Sequence, residues 1–511
     1  MGESVCFTIT LWRNEMRINS NIPTRGKKDF LRPRLHFTAP YGWLNDPNGL
    51  IYYKGQYHLF YQHLPGGVDW ENVNTCWGHA VSDDLLNWTD LPIALAPDQP
   101  YDDYLGGGCW SGSSIEHEGK LYVFYTGCVG EGDTLSQTQN LAISEDGINF
   151  KKHEGNPIID RPPDFGTADF RDPKVFRHEG RYYMVVAGSV PQEGEAEPAA
   201  CVYLYRSDDL YHWEYLNIVI GPTREYGTMI ECPDCFQLGD KWVLSVCLMN
   251  NLDYKSNAFF IGDLDFSSGK LEVLNVQVQD LNGYWYAPQT FAGPNGERLQ
   301  MCWQNTTLWM QWFDDWGPTQ EEGWRNCISL PHILTLDKNN HILSRPIAID
   351  SLMNEDYALE KLELSAKPTV LHCTDPFCYE LCFEIVPENC FSGAIELGLA
   401  GHGARYTKLA FNLPRREMVL DIKDRRDPFG SGTFMAELPK TDRIRVRLQF
   451  DRSSLELCLN DDTHFVACVY PEENQNELWI RTPYTTAEVE KVLLMSLKTG
   501  PCDEPENYSL S

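Results

Sequence analysis

Five stretches of the sequence share one pattern: YKGQYHLFY at 53–61, HEGKLYVFY at 117–125, HEGRYYMVV at 178–186, LGDKWVLSV at 238–246 and PNGERLQMCW at 294–303. In each stretch a glycine that can form a tight turn precedes a run rich in aromatic and β-branched residues, which is typical of a β-hairpin. Successive glycines are 64, 61, 59 and 57 residues apart. A repeat of about 60 residues built from strands and turns predicts one four-stranded propeller blade per copy.

A second marker supports the same period. It appears as SDDLLNW at 82–88, SEDGINF at 144–150 and SDDLYHW at 207–213. We therefore expect an all-β protein, with a five-bladed β-propeller over residues 35–340. Beyond about residue 360, segments such as RIRVRLQF at 443–450 alternate without the 60-residue period, which indicates a β-sandwich. The expected boundaries are an N-terminal arm over 1–34, a linker over 341–360 and a sandwich over 361–511.

The composition excludes several classes of function. The 511 residues include 42 Lys and Arg against 73 Asp and Glu, a formal net charge of −31 that repels nucleic acid and anionic membranes. No stretch reaches the roughly 18–20 apolar residues of a membrane span, and the N-terminus does not resemble a signal peptide, so a cytoplasmic location is expected. The 17 cysteines are scattered, and Cys232 and Cys235 lack a second ligand pair. We therefore expect reduced thiols, no metal and no cofactor.

Three carboxylates occupy one slot of the repeat. Asp46, Asp172 and Glu231 lie eight or nine residues before the hairpin glycines of their blades, and WSGS at 110–113 and YAPQ at 286–289 fill that slot in the other two. Equivalent positions of successive blades surround one axis, so these side chains should converge. Each could alone be a turn residue. Together they favour a retaining glycosidase, which needs a nucleophile and an acid/base about 5–5.5 Å apart; neighbouring carboxylates favour the protonated form of the acid.

Three motifs resemble the signatures of glycoside hydrolase family 32. They are WLNDPNG at 43–49, FRDPKV at 170–175 and ECPD at 231–234. The family comprises invertases, sucrose-6-phosphate hydrolases, inulinases, levanases and related fructosyltransferases. The resemblance extends from about residue 32 to the C-terminus. The motif contexts do not fit the five-bladed arabinan-cleaving enzymes, which also use three carboxylates.

The resemblance implies a role for each matched residue. Asp46 would be the nucleophile that attacks the anomeric carbon of fructose, Glu231 the acid/base, and Asp172 a transition-state stabiliser held by Arg171. Further residues would contact the sugar, and these are Asn45, Gln62, Trp70, Trp110 and Ser111. The two tryptophans could instead belong to the propeller core, because Trp is usually buried for packing.

Three departures from the family pattern bear on the substrate rather than on the reaction. They are Leu64, Thr75 with Cys76, and Tyr284. The resemblance implies that these residues lie on the rim or near the leaving-group side. The resemblance implies that the chain releases fructose from sucrose or short fructo-oligosaccharides, a small-molecule sugar substrate. A fructosyltransferase and a sucrose-6-phosphate hydrolase stay open as alternatives at the same site. A sugar-binding protein without activity is disfavoured, because all three carboxylates are retained. The oligomeric state is not predicted.

Overall fold

The computed structural model describes residues 29–65, 74–249, 257–279, 285–304, 319, 322–390, 393–402, 405–422, 432–483 and 486–498. Over these residues the regular structure is almost entirely β, with 34 strands. Short 3-10 turns cover Gly132–Thr134, Arg224–Tyr226, Asp350–Leu352 and Pro387–Asn389. The all-β class predicted from the sequence is confirmed. Among the described residues no helix is long and apolar enough to cross a membrane.

The repeats form five sheets, one for each blade. Blade I contains β1 (Gly42–Tyr53), β2 (Gln56–Leu64), β3 (Cys76–Ser82) and β4 (Trp88–Leu95), with β19 (Trp324–Arg325) parallel to β1. Blade II contains β5 (Gly108–His117), β6 (Lys120–Val129), β7 (Ser136–Ser144) and β8 (Lys151–Lys152). Blade III contains β9 (Phe170–His178), β10 (Arg181–Val190), β11 (Ala199–Ser207) and β12 (Glu214–Thr223). Blade IV contains β13 (Met229–Leu238), β14 (Lys241–Met249), β15 (Asn257–Asp265) and β16 (Lys270–Val278). Blade V contains β17 (Trp285–Ala292), β18 (Arg298–Gln304), β20 (Cys327–Ile328), β21 (His332–Leu336) and β22 (Ile342–Pro346).

The first strand of each blade lies at the centre of the propeller. β1 contacts β5, β5 contacts β9, β9 contacts β13, β13 contacts β17, and β17 contacts β1 again. These inner strands therefore form a closed ring, which confirms the five-bladed propeller.

The repeated glycines lie in the turns between the first and second strands of the blades, as their sequence pattern predicted. In blades I to III the turn residues Lys54–Gly55, Glu118–Gly119 and Glu179–Gly180 all have positive φ. Positive φ at both central residues is the type I′ geometry, whose twist matches that of the flanking strands. Glycine adopts this conformation without strain, which explains its recurrence at the second turn position.

The second sequence marker forms one kind of turn in three blades. The carboxylates of Asp84, Asp146 and Asp209 each accept hydrogen bonds from the backbone N–H groups two and three residues further along. This local bonding pattern is typical of aspartate in turns, and it accounts for the repeated S-x-D spacing.

The remainder of the chain forms two packed six-stranded sheets. One sheet contains β23 (Met353–Leu364), β25 (Cys378–Ile385), β30 (Ile444–Asp451), β31 (Ser454–Leu459), β32 (Thr463–Cys468) and β34 (Ala487–Leu497). The other contains β24 (Thr369–Val370), β26 (Ala394–His402), β27 (Arg405–Asn412), β28 (Glu417–Ile422), β29 (Gly432–Glu437) and β33 (Glu477–Arg481). Strands β22 and β23 occupy both ends of the segment 341–360 that was expected to be a linker, because each pairs with a neighbouring strand. Residues 1–28 of the expected N-terminal arm lie outside the described residues.

A buried charged network joins the propeller to the sandwich. His36, just before blade I, directs Nδ1 to Oδ2 of Asp451 at 2.8 Å and Nε2 to Oε1 of Glu456 at 3.0 Å. Glu456 also accepts hydrogen bonds from the side chain of Gln304 and the backbone of Leu330 in the propeller. All these groups are almost fully buried, so the two domains meet through specific polar contacts.

Candidate active site

Every inner strand carries a β-bulge near its start. The pairing shifts between Leu44 and Pro47 in β1, Trp110 and Gly112 in β5, Arg171 and Lys174 in β9, Glu231 and Asp234 in β13, and Tyr286 and Gln289 in β17. Bulges turn side chains away from the regular alternation of a strand and are common beside active sites. Here they occur around one ring, so they direct side chains from all five blades to one end of the propeller axis.

The bulges define which residues are equivalent between blades more closely than the spacing in the sequence does. Asp172, Cys232 and Ala287 each precede a proline and have φ values of 62°, 47° and 48°. Asp172 and Cys232 therefore occupy equivalent positions in blades III and IV. Glu231 lies one residue earlier, at the last paired position before the bulge.

Asp46 is half-buried and bonded through both carboxylate oxygens. The Ser111 hydroxyl donates to Oδ2 at 2.6 Å, and the Asn45 amide donates to Oδ1 at 3.2 Å. Burial is the main cause that raises the pKa of Asp46 to about 6; the hydrogen bond from Ser111 opposes this increase, and the charge of Glu231 adds to it. At neutral pH the carboxylate is therefore mostly ionised.

Asp172 is buried and held by the backbone. Its own N–H donates to Oγ1 of Thr126 at 2.9 Å, and its Oδ2 accepts the N–H of Cys232 at 2.8 Å. Burial raises the pKa of Asp172 above its ordinary value; Glu231 and Asp46 raise it as well, and the positive charge of Arg171 lowers it.

Glu231 is bonded on both oxygens by donors from neighbouring blades. Arg171 donates to Oε1 through Nε at 3.0 Å and Nη2 at 2.8 Å, and the Tyr286 hydroxyl donates to Oε2 at 2.6 Å. The guanidinium also donates to Asp169. Arg171 therefore binds Glu231 rather than Asp172, which differs from the role implied by the family resemblance. Neighbouring side chains of a strand point in different directions, so Arg171 bonds to Glu231 and interacts with Asp172 only through charge.

Cys232 connects the three carboxylates. Its N–H donates to Asp172, its thiol donates to Oδ2 of Asp46 at 3.5 Å, and it follows Glu231 in the chain. The structure thus brings together the three residues that the sequence predicted to converge.

The predicted sugar-contacting residues differ in their placement. Asn45 and Ser111 contact Asp46 directly. Gln62 is buried, and its amide donates to the carbonyl of Cys109 at 3.1 Å. Trp110 is half-buried, and its indole N–H has no hydrogen-bond partner within the part of the chain that the structure describes. Trp70 lies outside the described residues, as does Tyr284.

Two residues of the site were not assigned a role from the sequence. Tyr286 lies at the same position before its bulge as Glu231 and Arg171 do before theirs, and this shared register is the signal that could have identified it. Cys232 was considered from the sequence as part of a cysteine pair without further metal ligands. Nothing in the sequence indicated that its thiol and N–H would bind two different carboxylates.

No group of three or more His, Cys, Asp or Glu residues that could hold a metal ion occurs in the described ranges. The donors and acceptors at the ring centre are carboxylates, a guanidinium, hydroxyls and one thiol. Such a set can carry out acid–base and nucleophilic chemistry with its own groups.

Comparison with known proteins gives the same family for both domains. The model described as "Glycosyl hydrolases family 32 N-terminal domain" matches residues 36–346, and "Glycosyl hydrolases family 32 C terminal" matches residues 349–496. A sucrose-6-phosphate hydrolase of Escherichia coli is 32% identical over 479 residues, covering 91% of this chain and 94% of the relative. A raffinose invertase of the same species is 31% identical over 460 residues, covering 87% and 91%.

Solved structures of two relatives share the fold over nearly their whole length. The β-fructofuranosidase of Bombyx mori superposes with a TM-score of 0.75 at 28% identity, covering 92% of this chain and 95% of that one. The sucrose-6-phosphate hydrolase of Lactobacillus gasseri superposes with a TM-score of 0.77 at 26% identity, covering 93% and 94%. With both domains matched and the three carboxylates gathered at the ring centre, the chain belongs to glycoside hydrolase family 32.

Proposed function

We propose that this chain, a glycoside hydrolase that releases fructose from β-fructofuranosides, uses Asp46 as nucleophile and Glu231 as acid/base. The observation that carries the assignment is the link through Cys232. Its thiol donates to Asp46, and the residue before it in the chain is Glu231. Two carboxyl groups connected in this way at the centre of the ring can act on one glycosidic bond.

Asp46 suits nucleophilic attack. With a pKa of about 6 it is mostly ionised at neutral pH. The hydrogen bonds from Ser111 and Asn45 orient the carboxylate. In the first step a carboxylate oxygen of Asp46 forms a bond to the anomeric carbon of fructose, and the bond from that carbon to the leaving sugar breaks.

Glu231 suits proton transfer to and from the reacting oxygens. In the first step its proton passes to the oxygen of the leaving sugar; in the second it takes a proton from the water that attacks the anomeric carbon. Arg171 and Tyr286 hold one carboxyl oxygen each, so the carboxylate left after the first step is stabilised and keeps its orientation.

Asp172 stabilises the charge that develops on the sugar. The bond-breaking step of a retaining glycosidase passes through an oxocarbenium-like transition state. A carboxylate fixed by the N–H of Cys232 places negative charge near that cation without reorganisation.

Small sugars are the substrates that the two curated relatives described above support. Those relatives are named sucrose-6-phosphate hydrolase and raffinose invertase, and a variant of the Bombyx mori enzyme was solved in complex with sucrose. We propose sucrose or short fructo-oligosaccharides as the substrate of this chain. Sucrose 6-phosphate is the second candidate, and fructosyl transfer to a sugar hydroxyl is the alternative outcome at the same site.

We also propose a cytoplasmic location. The fifteen cysteines within the described residues are all free, and most of them are buried. Unpaired cysteines in this number are typical of proteins from reducing compartments.

A substrate panel tests the proposed function. Purified protein is incubated with sucrose, sucrose 6-phosphate, kestose, inulin and levan, and the products are quantified by chromatography. We expect free fructose from sucrose and kestose, with much slower release from the polymers, and loss of release in Asp46→Ala and Glu231→Gln. Longer oligosaccharides from concentrated sucrose would favour the transferase, and absence of fructose from every substrate would refute the proposal.

A further inference from the structure

A buried lysine crosses the axis of the propeller directly behind the carboxylates. Lys174 follows Asp172 by two residues and is 8% exposed. Its Nζ lies 3.0 Å from Oδ2 of Asp234, 2.7 Å from the carbonyl oxygen of Thr290 and 3.3 Å from Oε1 of Gln289. These partners belong to β13 and β17, and β17 is not a neighbour of β9 in the ring. One ammonium group therefore joins three of the five inner strands.

The three joined strands are those that carry Asp172, Glu231 and Tyr286. Asp234 follows Glu231 by three residues, and Gln289 follows Tyr286 by three, with the bulge of the strand between them in each case. Asp234 also accepts the N–H of Thr290 through Oδ2. The contacts of the ammonium thus lie just beyond the bulges that present the reacting groups.

The bulge of β9 is also held from the opposite side. In blade II, the hydroxyl of Ser113 donates to the carbonyl oxygen of Pro173 at 2.7 Å and accepts the N–H of Val175 at 3.0 Å. The turn that carries Asp172 is therefore fixed by blade II on one side and by Lys174 on the other.

We propose that Lys174 is a positioning residue, whose bonds across the axis set the placement of Asp172 relative to Glu231. An apolar side chain of the same volume would fill this space without the cost of burying an ion pair, and such replacements are often neutral or stabilising. It would not fix the directions in which three strands meet. The ion pair therefore fixes the relative positions of the three strands, which packing alone would not do.

The consequence for catalysis concerns the turnover number. A displacement of about 1 Å in a reacting group can lower a rate by roughly 100-fold. Proton transfer by Glu231 and charge stabilisation by Asp172 act in the transition state, so a change in their separation lowers kcat more than it raises KM.

The experiment compares Lys174→Met, Asp234→Asn and the double variant, with kcat and KM for sucrose and the thermal unfolding temperature measured for each. Each single variant leaves one buried group without its partner and should unfold at a lower temperature. The double variant removes both charges of the ion pair and should recover much of the lost stability, while Arg298, whose charge also interacts with Asp234, is present in every variant. The matched control is Arg447→Met, which breaks a partly buried ion pair with Glu380 in the sandwich. Arg447 also donates to the carbonyl oxygens of Pro346 and Ile347, at the end of the outermost strand of blade V rather than at an inner strand.

We expect the double variant to recover stability but not activity, with kcat still roughly 10- to 100-fold below the parent and KM within about threefold. Arg447→Met should lose stability and keep kcat. If kcat of the double variant returns to the parent value together with its stability, Lys174 has only a structural role and the inference is wrong. The double variant decides the matter even if a single variant does not fold.

This inference rests on the proposed roles of Asp172 and Glu231. The two can fail separately. If Asp46→Ala and Glu231→Gln keep wild-type turnover, the proposed function is wrong whatever Lys174 does. If both lose turnover while the double variant keeps it, only the positioning role is wrong.

Discussion

The backbone N–H of Cys232 donates a 2.8 Å hydrogen bond to Oδ2 of Asp172. This N–H can bond to Asp172 because the bulge gives Cys232 a positive φ and takes the residue out of the regular pairing between β13 and β14. The same residue reaches Asp46 through its thiol. The bulge in blade IV therefore carries one of the three carboxylates and contacts the other two.

Asp172 should stabilise the transition state without transferring a proton. Asp172→Asn keeps the shape of the side chain but removes its charge, so we expect kcat for sucrose to fall roughly 100- to 1,000-fold. Asp164→Asn, an exposed residue of the loop before β9, serves as the control and should leave kcat unchanged. An unaltered kcat with a raised KM would instead make Asp172 a residue that binds substrate and transition state equally.

Ser111 should set the lower pH limit of activity. Its hydrogen bond lowers the pKa of Asp46, which burial has raised to about 6. Ser111→Ala removes that bond, so the pKa rises further and the nucleophile is protonated at higher pH. The acid limb of kcat/KM should move upward by about one pH unit, since a hydrogen bond to a charged group contributes about 1.5–3 kcal/mol. A limb that stays in place or moves to lower pH would contradict the assignment of Asp46 as the group that must be ionised.

Tyr286 should orient the acid/base. Tyr286→Phe removes the 2.6 Å hydrogen bond to Oε2 of Glu231 and leaves only Arg171 to hold the carboxyl group. We expect kcat for sucrose to fall at least about tenfold with little change in KM. Tyr182→Phe removes a comparable hydroxyl contact, between Tyr182 in blade III and His117 at the hairpin end of blade II, and should have no effect on kcat. Equal kcat values for the two variants would show that Tyr286 contributes packing and does not orient Glu231.

His36 should make the joined domains more stable at lower pH. Burial alone would lower its pKa, but hydrogen bonds with Asp451 and Glu456 raise the pKa to about 9. The contribution is therefore fully present below about pH 6.5 and is lost as the pH rises through about 9. The free energy of unfolding should fall by up to about 3 kcal/mol over that range, and in His36→Gln this decrease should be absent. If the free energy of unfolding depends on pH in the same way for the parent and the variant, His36 is not charged in the folded protein.

How far the sequence predicts this protein depends on the kind of feature. The hairpin glycines recur because these turns need positive φ at one place, which Gly55 and its four counterparts all adopt, so they revealed the five blades. The convergence of Asp46, Asp172 and Glu231 followed from their similar places in successive blades, although Glu231 lies one residue before the position equivalent to Asp172. The direction of the Arg171 side chain did not, because it depends on how a bulge turns one strand.

Contacts between distant parts of the chain were also beyond the sequence analysis. His36 and Asp451 are separated by 415 residues, and a histidine in an apolar stretch gives no sign that it meets two carboxylates. The position of the thiol of Cys232 depends likewise on a strand from another blade. Such contacts follow from the packing of blades against each other and against the sandwich.

The covalent intermediate offers the most direct test of the account. Glu231→Gln is mixed with a fructosyl donor whose leaving group needs no protonation, such as fructosyl fluoride, and the protein is digested and analysed by mass spectrometry. The first step should proceed, whereas the second lacks its base, so a fructosyl group should accumulate on the peptide that contains Asp46. Added azide, a nucleophile that needs no base, should release it and restore turnover. A fructosyl group on any other residue, or no adduct and no rescue by azide, would contradict the assignment of Asp46 and Glu231.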